Sequence, residues 1–303
     1  MENITLSTTS NSMGLKAGGY RIFRHSILIR LTHWMIVICL FILLMSGLQI
    51  FNAHPALYWG QKSDFEHPSV SIGAETNSAN KLTGTTNVLG YKFITTGILG
   101  VSAGADGRPA ERGFPGWITL PAGQALATGR LWHFLAAWGF VLSLMLYFFN
   151  GFVSGHFWHH LVPSGEQIRH IGPSIWDHVR LRFPKGKEAE QYNVLQKLTY
   201  LLVIFVVLPV AVLAGLTMSP GLDAAFPQLL QLFGGRQSAR TVHFLAAGAL
   251  VLFFIVHVAL VLVSGVWNNM RSMITGWYTI VWIYFRKLIK AKPFLYRFND
   301  VHN

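Results

Sequence analysis

The sequence predicts an all-α integral membrane protein: a four-helix bundle with a long extracytoplasmic loop and a C-terminal interfacial helix. The 303 residues are 52% hydrophobic and only 12% charged, whereas soluble domains carry roughly 25% charged residues. Four long segments have no charged residue, and the charges flank them. This pattern excludes an ordinary soluble domain and a disordered chain. It also argues against a nucleic-acid partner, because the net charge of +12 forms no basic stripe.

The four apolar segments are each long enough to span a bilayer, whose ~30 Å hydrocarbon core takes about 20 helical residues. Backbone groups in lipid must be satisfied within the span, so each segment is predicted to be a helix. Pro209 should kink the third. The predicted spans are Leu31 to Phe51, Leu131 to about Val153, Leu198 to about Ser219 and Thr241 to about Val266.

The segments outside the spans define the rest of the predicted organisation. Residues 1–24 are a polar N-terminal tail, and residues 25–270 are the membrane domain, which includes the loop 52–130. This loop of about 80 residues is far longer than usual connections, and such loops tend to be functional. Its tryptophans and tyrosines indicate an ordered cap, the alternative being a plug at the membrane interface without a partner. Residues 271–303 are predicted to form an interfacial helix, over Ser272–Phe285, and a cytoplasmic tail.

The distribution of lysine and arginine predicts the orientation. Sixteen of the 24 lie in the N-terminal tail, the segment between spans two and three, and the C-terminal tail. By the positive-inside rule these segments are cytoplasmic. Both termini are therefore predicted to be inside and the long loop outside, although long loops carry little weight in this rule.

Four of the 13 histidines lie in or at the ends of spans, where an ionisable residue indicates function. His243 and His257 share the fourth span, fourteen residues and about 21 Å apart along the helix axis, so one is near each membrane surface. The predicted topology pairs His133 with His243 near the outer surface and His33 with His257 near the inner one. Any one of them alone could instead bridge helices by a hydrogen bond.

Paired neutral imidazoles from facing helices are the ligands of a low-spin b-type haem. Two such pairs, stacked across the bilayer, predict two non-covalent haems b with His33, His133, His243 and His257 as axial ligands. The single cysteine, Cys39, excludes covalent C-x-x-C-H attachment and is interpreted as a packing residue. Zinc is a poor rival because its sites need more converging ligands.

Other polar residues near the predicted haems have two interpretations. Arg30, Arg130 and Arg240 lie close to the histidines and could bind haem propionates, or they could simply flank the spans as positive charges. His156, His159 and His160 follow the second span. They are more typical of a solvated surface than of a metal site.

Four motifs are distributed over the spans: Arg30-Leu31-Thr32-His33-Trp34, Trp132-His133-Phe134, Gln196-Lys197-Leu198-Thr199-Tyr200 and the pair His243 and His257. Together they resemble the bacterial cytochrome b561 / Ni-hydrogenase cytochrome b superfamily, which includes formate dehydrogenase gamma and thiosulfate reductase cytochrome b subunits. The resemblance covers all four spans and implies a multi-pass protein of the bacterial inner membrane. Residues 52–60, 114–117 and 267–271 are similar to a branch that accompanies a periplasmic molybdopterin oxidoreductase.

The favoured function is a membrane anchor that carries electrons between the quinone pool and an extracytoplasmic redox subunit, with no catalytic residue of its own. Quinone is expected to exchange near His33 and His257, the rival being an outer site that involves His54. A stand-alone oxidoreductase acting on superoxide, ferric ion or quinone is the alternative. A transporter or scaffold with unligated histidines is a third possibility.

Overall fold

The computed structural model describes residues 7–10, 15–104, 106–169, 171–180 and 193–285. Within these ranges, four helices are long and apolar enough to cross a membrane. In chain order the elements are β1 (Ser7–Ser10), β2 (Leu15–Phe23), α1 (Ile27–Phe51), β3 (Ala56–Leu57), β4 (Val70–Thr76), β5 (Leu82–Val88), β6 (Tyr91–Ile94), β7 (Gly100–Ala103), β8 (Pro109–Arg112), α2 (Leu126–Val153), α3 (Gly165–Arg169), α4 (Ile171–Val179), α5 (Val194–Leu202), α6 (Leu208–Leu216), α7 (Pro220–Ala225), α8 (Pro227–Leu232), α9 (Arg236–Thr275) and β9 (Trp277–Phe285).

The four membrane helices confirm the predicted bundle. They are α1, α2, the third span Val194–Leu216 formed by α5 and α6, and α9. A π-helical turn at Val203–Val207 joins α5 to α6, just before Pro209. Because proline has no N–H to bond the carbonyl four residues earlier, the helix widens at this point. The fourth helix is broken at Gly265, whose φ of 114° lies outside the helical region.

The prediction of an interfacial helix over Ser272–Phe285 is wrong for most of its length. Helix α9 runs on to Thr275, and Gly276, with a positive φ of 88°, ends it. Strand β9 follows and pairs antiparallel with β2 at nine positions, while β1 pairs with the other edge of β2. The sequence WYTIVWIYF is aromatic and β-branched, which favours a strand once a partner strand is present.

The partner strand comes from the segment predicted to be a polar tail. Strand β2 precedes α1 and β9 follows α9, so this sheet holds the beginning and the end of the bundle together. The two flanks of the membrane domain therefore lie at the same end, here called the inner end. The predicted cytoplasmic tail beyond Phe285 lies outside the described residues.

Helices α1 and α2 pack closely, and small buried residues recur on each at seven-residue intervals. The buried residues at these intervals are Thr32, Cys39 and Ser46 on α1, and Gly129, Ala136 and Ser143 on α2. A seven-residue repeat keeps one seam facing the partner helix, and small residues let helix backbones approach in lipid. At Gly139, an added Cβ would lie 3.2 Å from the Cys39 sulfur. Cys39 is thus a packing residue, as predicted.

The third span packs mainly on α9, so the bundle consists of two helix pairs, α1 with α2 and α6 with α9. Direct contacts between α1 and α9, from different pairs, are far less extensive. An apolar core closes the middle of the bundle, where Cys39, Phe140 and Leu144 meet Val203 and Leu208. This core separates the outer end of the bundle from the inner end.

The loop 52–130 is an ordered cap built largely of strands. It holds a four-stranded sheet, in the order β3-β4-β5-β6, and the two-stranded sheet β7-β8. Leu57 and Ile72 of the cap form a buried cluster with Phe51 at the end of α1, and Phe244 of α9 packs against it. The all-α prediction is therefore corrected for the cap: its chain is too rich in turns to form helices, and its strands pair locally.

Arg112 fixes the cap to the outer end of α1. Its buried guanidinium donates to the carbonyls of Phe114 and Ala122 (2.9 Å each) and to the Thr119 hydroxyl (3.1 Å). It also donates to Oε1 of Gln49, a buried residue of α1, at 3.4 Å. Five N–H donors in a rigid fork suit arginine to such a role.

We predict that Arg112→Met destabilises the cap by about 3 kcal/mol, since several buried acceptors lose their donor at once. Thermal unfolding in detergent and limited proteolysis within residues 52–130 measure the effect. Arg108→Met is the matched control: Arg108 flanks the same strand, is exposed and lies 3.8 Å from Asp106, so the expected change is within about 0.5 kcal/mol. Equal stability of the two variants would contradict the anchoring role.

Candidate functional site

The two histidines predicted to pair near the outer surface lie side by side. His133 is on the second turn of α2 and His243 on the second turn of α9, and their ring centroids are 6.2 Å apart with an interplanar angle of 71°. An iron bound at about 2 Å by one nitrogen on each side holds two imidazole centres roughly 6 Å apart. The observed spacing therefore fits a metal between the rings. The two helices belong to different helix pairs.

Each of these rings is held through Nδ1 by the helix that packs against its own. Nδ1 of His133 lies 3.1 Å from the hydroxyl of Ser46 on α1, and Nδ1 of His243 lies 2.8 Å from the carbonyl of Ala211 on α6. A hydrogen bond at one ring nitrogen sets which nitrogen is left for a metal. In both rings Nε2 is left.

Glycines on the neighbouring helices make room for both rings. An added Cβ at Gly47 would lie 3.3 Å from Cε1 of His133, and one at Gly215 would lie 3.1 Å from Cε1 of His243. Any larger residue would press on the imidazole. In contrast, Gly248 of α9 is exposed, and a Cβ there would meet nothing within 4 Å.

The inner histidines, His33 of α1 and His257 of α9, are close enough for their charges to interact. His33 packs edge-on against Trp34 (5.3 Å) and His257 stacks on Phe253 (5.6 Å). Nδ1 of His33 is buried and has no hydrogen-bond partner among the described residues. The structure thus brings the outer pair into ring contact and places His33 and His257 within electrostatic range of each other at the inner end.

The inner end carries further basic groups. His25, between β2 and α1, interacts electrostatically with His33, Arg24, Arg30 and His156. Within the described part of the chain, Nδ1 of His25 and Nε of Arg30 are buried without a hydrogen-bond partner. The side chains of His159 and His160 lie outside the described residues.

The three predicted propionate-binding arginines occupy different settings. Arg30 donates to the carbonyl of Ile274 and is half-buried. Arg130 is exposed and its guanidinium lies 5.7 Å from the Phe134 ring centre. Arg240 donates to the carbonyl of His54 in the cap and lies 5.3 Å from the Phe51 ring centre. Their role toward a propionate stays a prediction.

The cap is tied directly to the first turns of α9, just before His243. The Thr241 hydroxyl donates to the Tyr58 carbonyl (2.6 Å), and Gly60 N–H donates to the Ser238 hydroxyl (2.7 Å). His54 of the cap bonds through Nε2 to the Tyr58 hydroxyl at 3.1 Å, and the two rings stack. Burial, and then the charge of Arg240, lower the pKa of His54.

Sequence reasoning missed Ser46, Gly47, Gly215 and His25. A signal for two of them was present. Ser46 and Gly47 are small residues in an otherwise bulky apolar run, and Gly47 follows His33 by fourteen residues, the interval that separates His243 from His257. On one helix this interval returns almost to the same face. The carbonyl of Ala211, which bonds to the ring of His243, could not be predicted from the sequence, because every residue has a carbonyl.

Comparison with known proteins identifies the family. The family model for prokaryotic cytochrome b561 matches residues 24–276, and the chain belongs to this family. A relative from Azospira oryzae, named "Putative protein-methionine-sulfoxide reductase subunit YedZ1", is 29% identical over 233 residues, which is 77% of this chain and 87% of the relative. No solved structure gives a significant match.

The protein is therefore a membrane-spanning cytochrome b of the electron-transfer type, and its family implies haem b. The residues fit such a group at the outer end, where the ring spacing suits an iron and both Nδ1 atoms already have partners. Bound haem supplies one-electron redox chemistry. Around such a group, His133 and His243 would be the imidazole ligands, with Ser46 and Ala211 orienting their rings.

Proposed function

We propose that this chain is the di-haem membrane subunit of an oxidoreductase complex and carries electrons between quinone and an extracytoplasmic redox partner. The observation that carries the proposal is the placement of two histidine pairs at opposite ends of one bundle, each drawn from different helix pairs. The ligands are His133 with His243, and His33 with His257. No residue of the chain acts as a catalytic group.

The proposed setting is the bacterial inner membrane with both termini in the cytoplasm. The positive-inside count supports this orientation, and the sheet of β1, β2 and β9 supports a common side for both flanks of the bundle. The cap then lies outside, above the pair His133 and His243. The His33 and His257 pair lies toward the cytoplasm.

We predict that the purified chain holds two non-covalent haems and that His257→Ala holds one, the outer haem, because the pairs share α9 but not an iron. Haem per chain and the reduced-minus-oxidised spectrum measure this. The matched variant His243→Ala should lose the outer haem and keep the inner one. Two haems in His257→Ala, or haem that survives acid–acetone extraction, would show the ligand assignment to be wrong.

The partner is proposed to be a molybdopterin-dependent oxidoreductase, a class implied by the motif resemblance. The name of the Azospira oryzae relative, a reductase subunit, supports a redox partner. The cap offers the contact surface. Its strand β6 is an edge strand with all four residues exposed. Large hydrophobic side chains, each at least 53% exposed, lie on this strand and beside it: Leu89, Tyr91, Phe93, Ile94 and Ile98.

Deletion of the cap would not test partner binding alone, because Arg112, Tyr58 and Gly60 hold the helix ends near the outer histidines. Charged substitutions at β6 test the proposed contact surface more directly. We predict that Tyr91→Lys with Ile94→Lys weakens partner binding at least about 30-fold, the cost of an aromatic anchor in an interface (about 2 kcal/mol). Co-purification from native membranes and titration with the isolated partner measure it.

The haem spectrum of this variant should be unchanged, since within the described residues β6 packs on β5 and has no extensive contact with the bundle. Lys81→Glu, exposed at the opposite end of β5, is the control and should bind the partner normally. Full activity of the single chain with superoxide, ferric ion or quinol, and no partner, would favour the stand-alone alternative.

Quinone is proposed to exchange at the inner end. Among the residues that the structure describes, His25 and Arg30 there have buried nitrogens without hydrogen-bond partners, which suit a carbonyl or hydroxyl of the ligand. Burial, followed by the charge of Arg24, lowers the pKa of His25 to about 4, so its ring is neutral at neutral pH. The rival outer site is less suited, because His54 already bonds and stacks on Tyr58.

We predict that a quinol-analogue inhibitor perturbs only the spectrum of the haem held by His33 and His257. In His25→Ala the inhibitor should bind about tenfold more weakly, the loss of one hydrogen bond. His67→Ala, exposed in the cap, is the control and should change nothing. An inhibitor that perturbs only the haem lost in His133→Ala would place the site on the outer face.

A further inference from the structure

The hydroxyl of Ser46 stands out among the polar groups in the spans because it is fully buried and meets a histidine of the outer pair. Its Oγ lies 2.5 Å from the Ile42 carbonyl and 3.1 Å from Nδ1 of His133. A serine hydroxyl has one hydrogen and two lone pairs. Because the carbonyl can only accept and makes the shorter contact, we assign the hydrogen to Ile42, and Oγ then accepts the N–H of the imidazole.

The same reasoning assigns the hydrogen on the ring of His243. The Ala211 carbonyl, 2.8 Å from Nδ1 of His243, can only accept, so this nitrogen also carries hydrogen. At the inner end the situation differs, since Nδ1 of His33 has no hydrogen-bond partner among the described residues. Ser46 therefore acts on one end of the bundle only.

We propose that Ser46 is a positioning residue that holds down the reduction potential of the outer haem through His133. The inference rests on the proposed function. An imidazole whose N–H is accepted by a neighbour is a more basic ligand, and a stronger donor favours the more highly charged ferric iron over the ferrous iron. The axial ligands of a haem, and the hydrogen bonds that these ligands make, are among the factors that set its reduction potential.

Removal of the hydroxyl should abolish this bond and leave the ring in place. Alanine differs from serine by one oxygen atom, so Ser46→Ala keeps the packing of α1 at this position. Gly47 still borders the ring on the same helix. Haem retention is therefore expected in the variant.

The experiment is a spectroscopic redox titration of the purified full-length chain with and without Ser46→Ala. The expected result is an upward shift of one midpoint potential, that of the haem missing from His133→Ala, with the other unchanged and two haems per chain retained. Ser143→Ala is the matched control. Ser143 is also buried on a membrane helix, and its hydroxyl donates to the carbonyl of Gly139 on the same helix (2.8 Å). In Ser143→Ala neither midpoint potential should therefore change.

No shift, a downward shift, or an equal shift in Ser143→Ala would overturn the inference. If Ser46→Ala loses the outer haem, Ser46→Cys decides, because it keeps the side chain in place but offers only a weak acceptor. An upward shift in that variant supports the inference and an unchanged potential overturns it. The proposed function fails separately, if the unaltered chain lacks two haems or the histidine variants remove neither.

Discussion

The constraint on which the structure depends is that an imidazole inside a bilayer must find its partners within the protein, since lipid offers none. Both outer histidines satisfy this constraint in the same way. His133 of α2 bonds to Ser46 of α1, and His243 of α9 bonds to Ala211 of α6, so each ring is satisfied by the helix packed against its own. The rings are then fixed at Nδ1 and face each other across the boundary between the two helix pairs.

This arrangement needs helices that approach closely within a pair and less closely between pairs. Small residues at seven-residue intervals meet the first requirement in α1 and α2, and Gly47 and Gly215 leave space for the rings themselves. The mid-bundle core around Phe140 and Leu208 closes the centre of the bundle. The outer and inner histidines therefore lie on opposite sides of this core.

The sequence was sufficient for features that depend on composition and on periodicity along one helix. Span lengths, the levels of the four histidines and a helix irregularity near Pro209 are of this kind. It was insufficient where the outcome depends on a distant partner. The apolar stretch that begins at Trp277 is short enough to lie at the interface as a helix, and only its pairing with Leu15–Phe23, far away in the chain, selects a strand. Likewise, the role of Ser46 depends on which residue of α2 lies opposite, which no local pattern specifies.

The cap belongs to the outer site mechanically as well as by position. Arg112 reaches Gln49, one turn after Ser46 on α1, and Tyr58 and Gly60 bond to Thr241 and Ser238, the residues that lead into His243 on α9. Neither partner in these hydrogen bonds can move without leaving a polar group unsatisfied. A displacement of the cap therefore acts on the turns next to His243 and next to Ser46, which bonds to His133. The fold of this long loop is thus tied to the positions of the outer histidines.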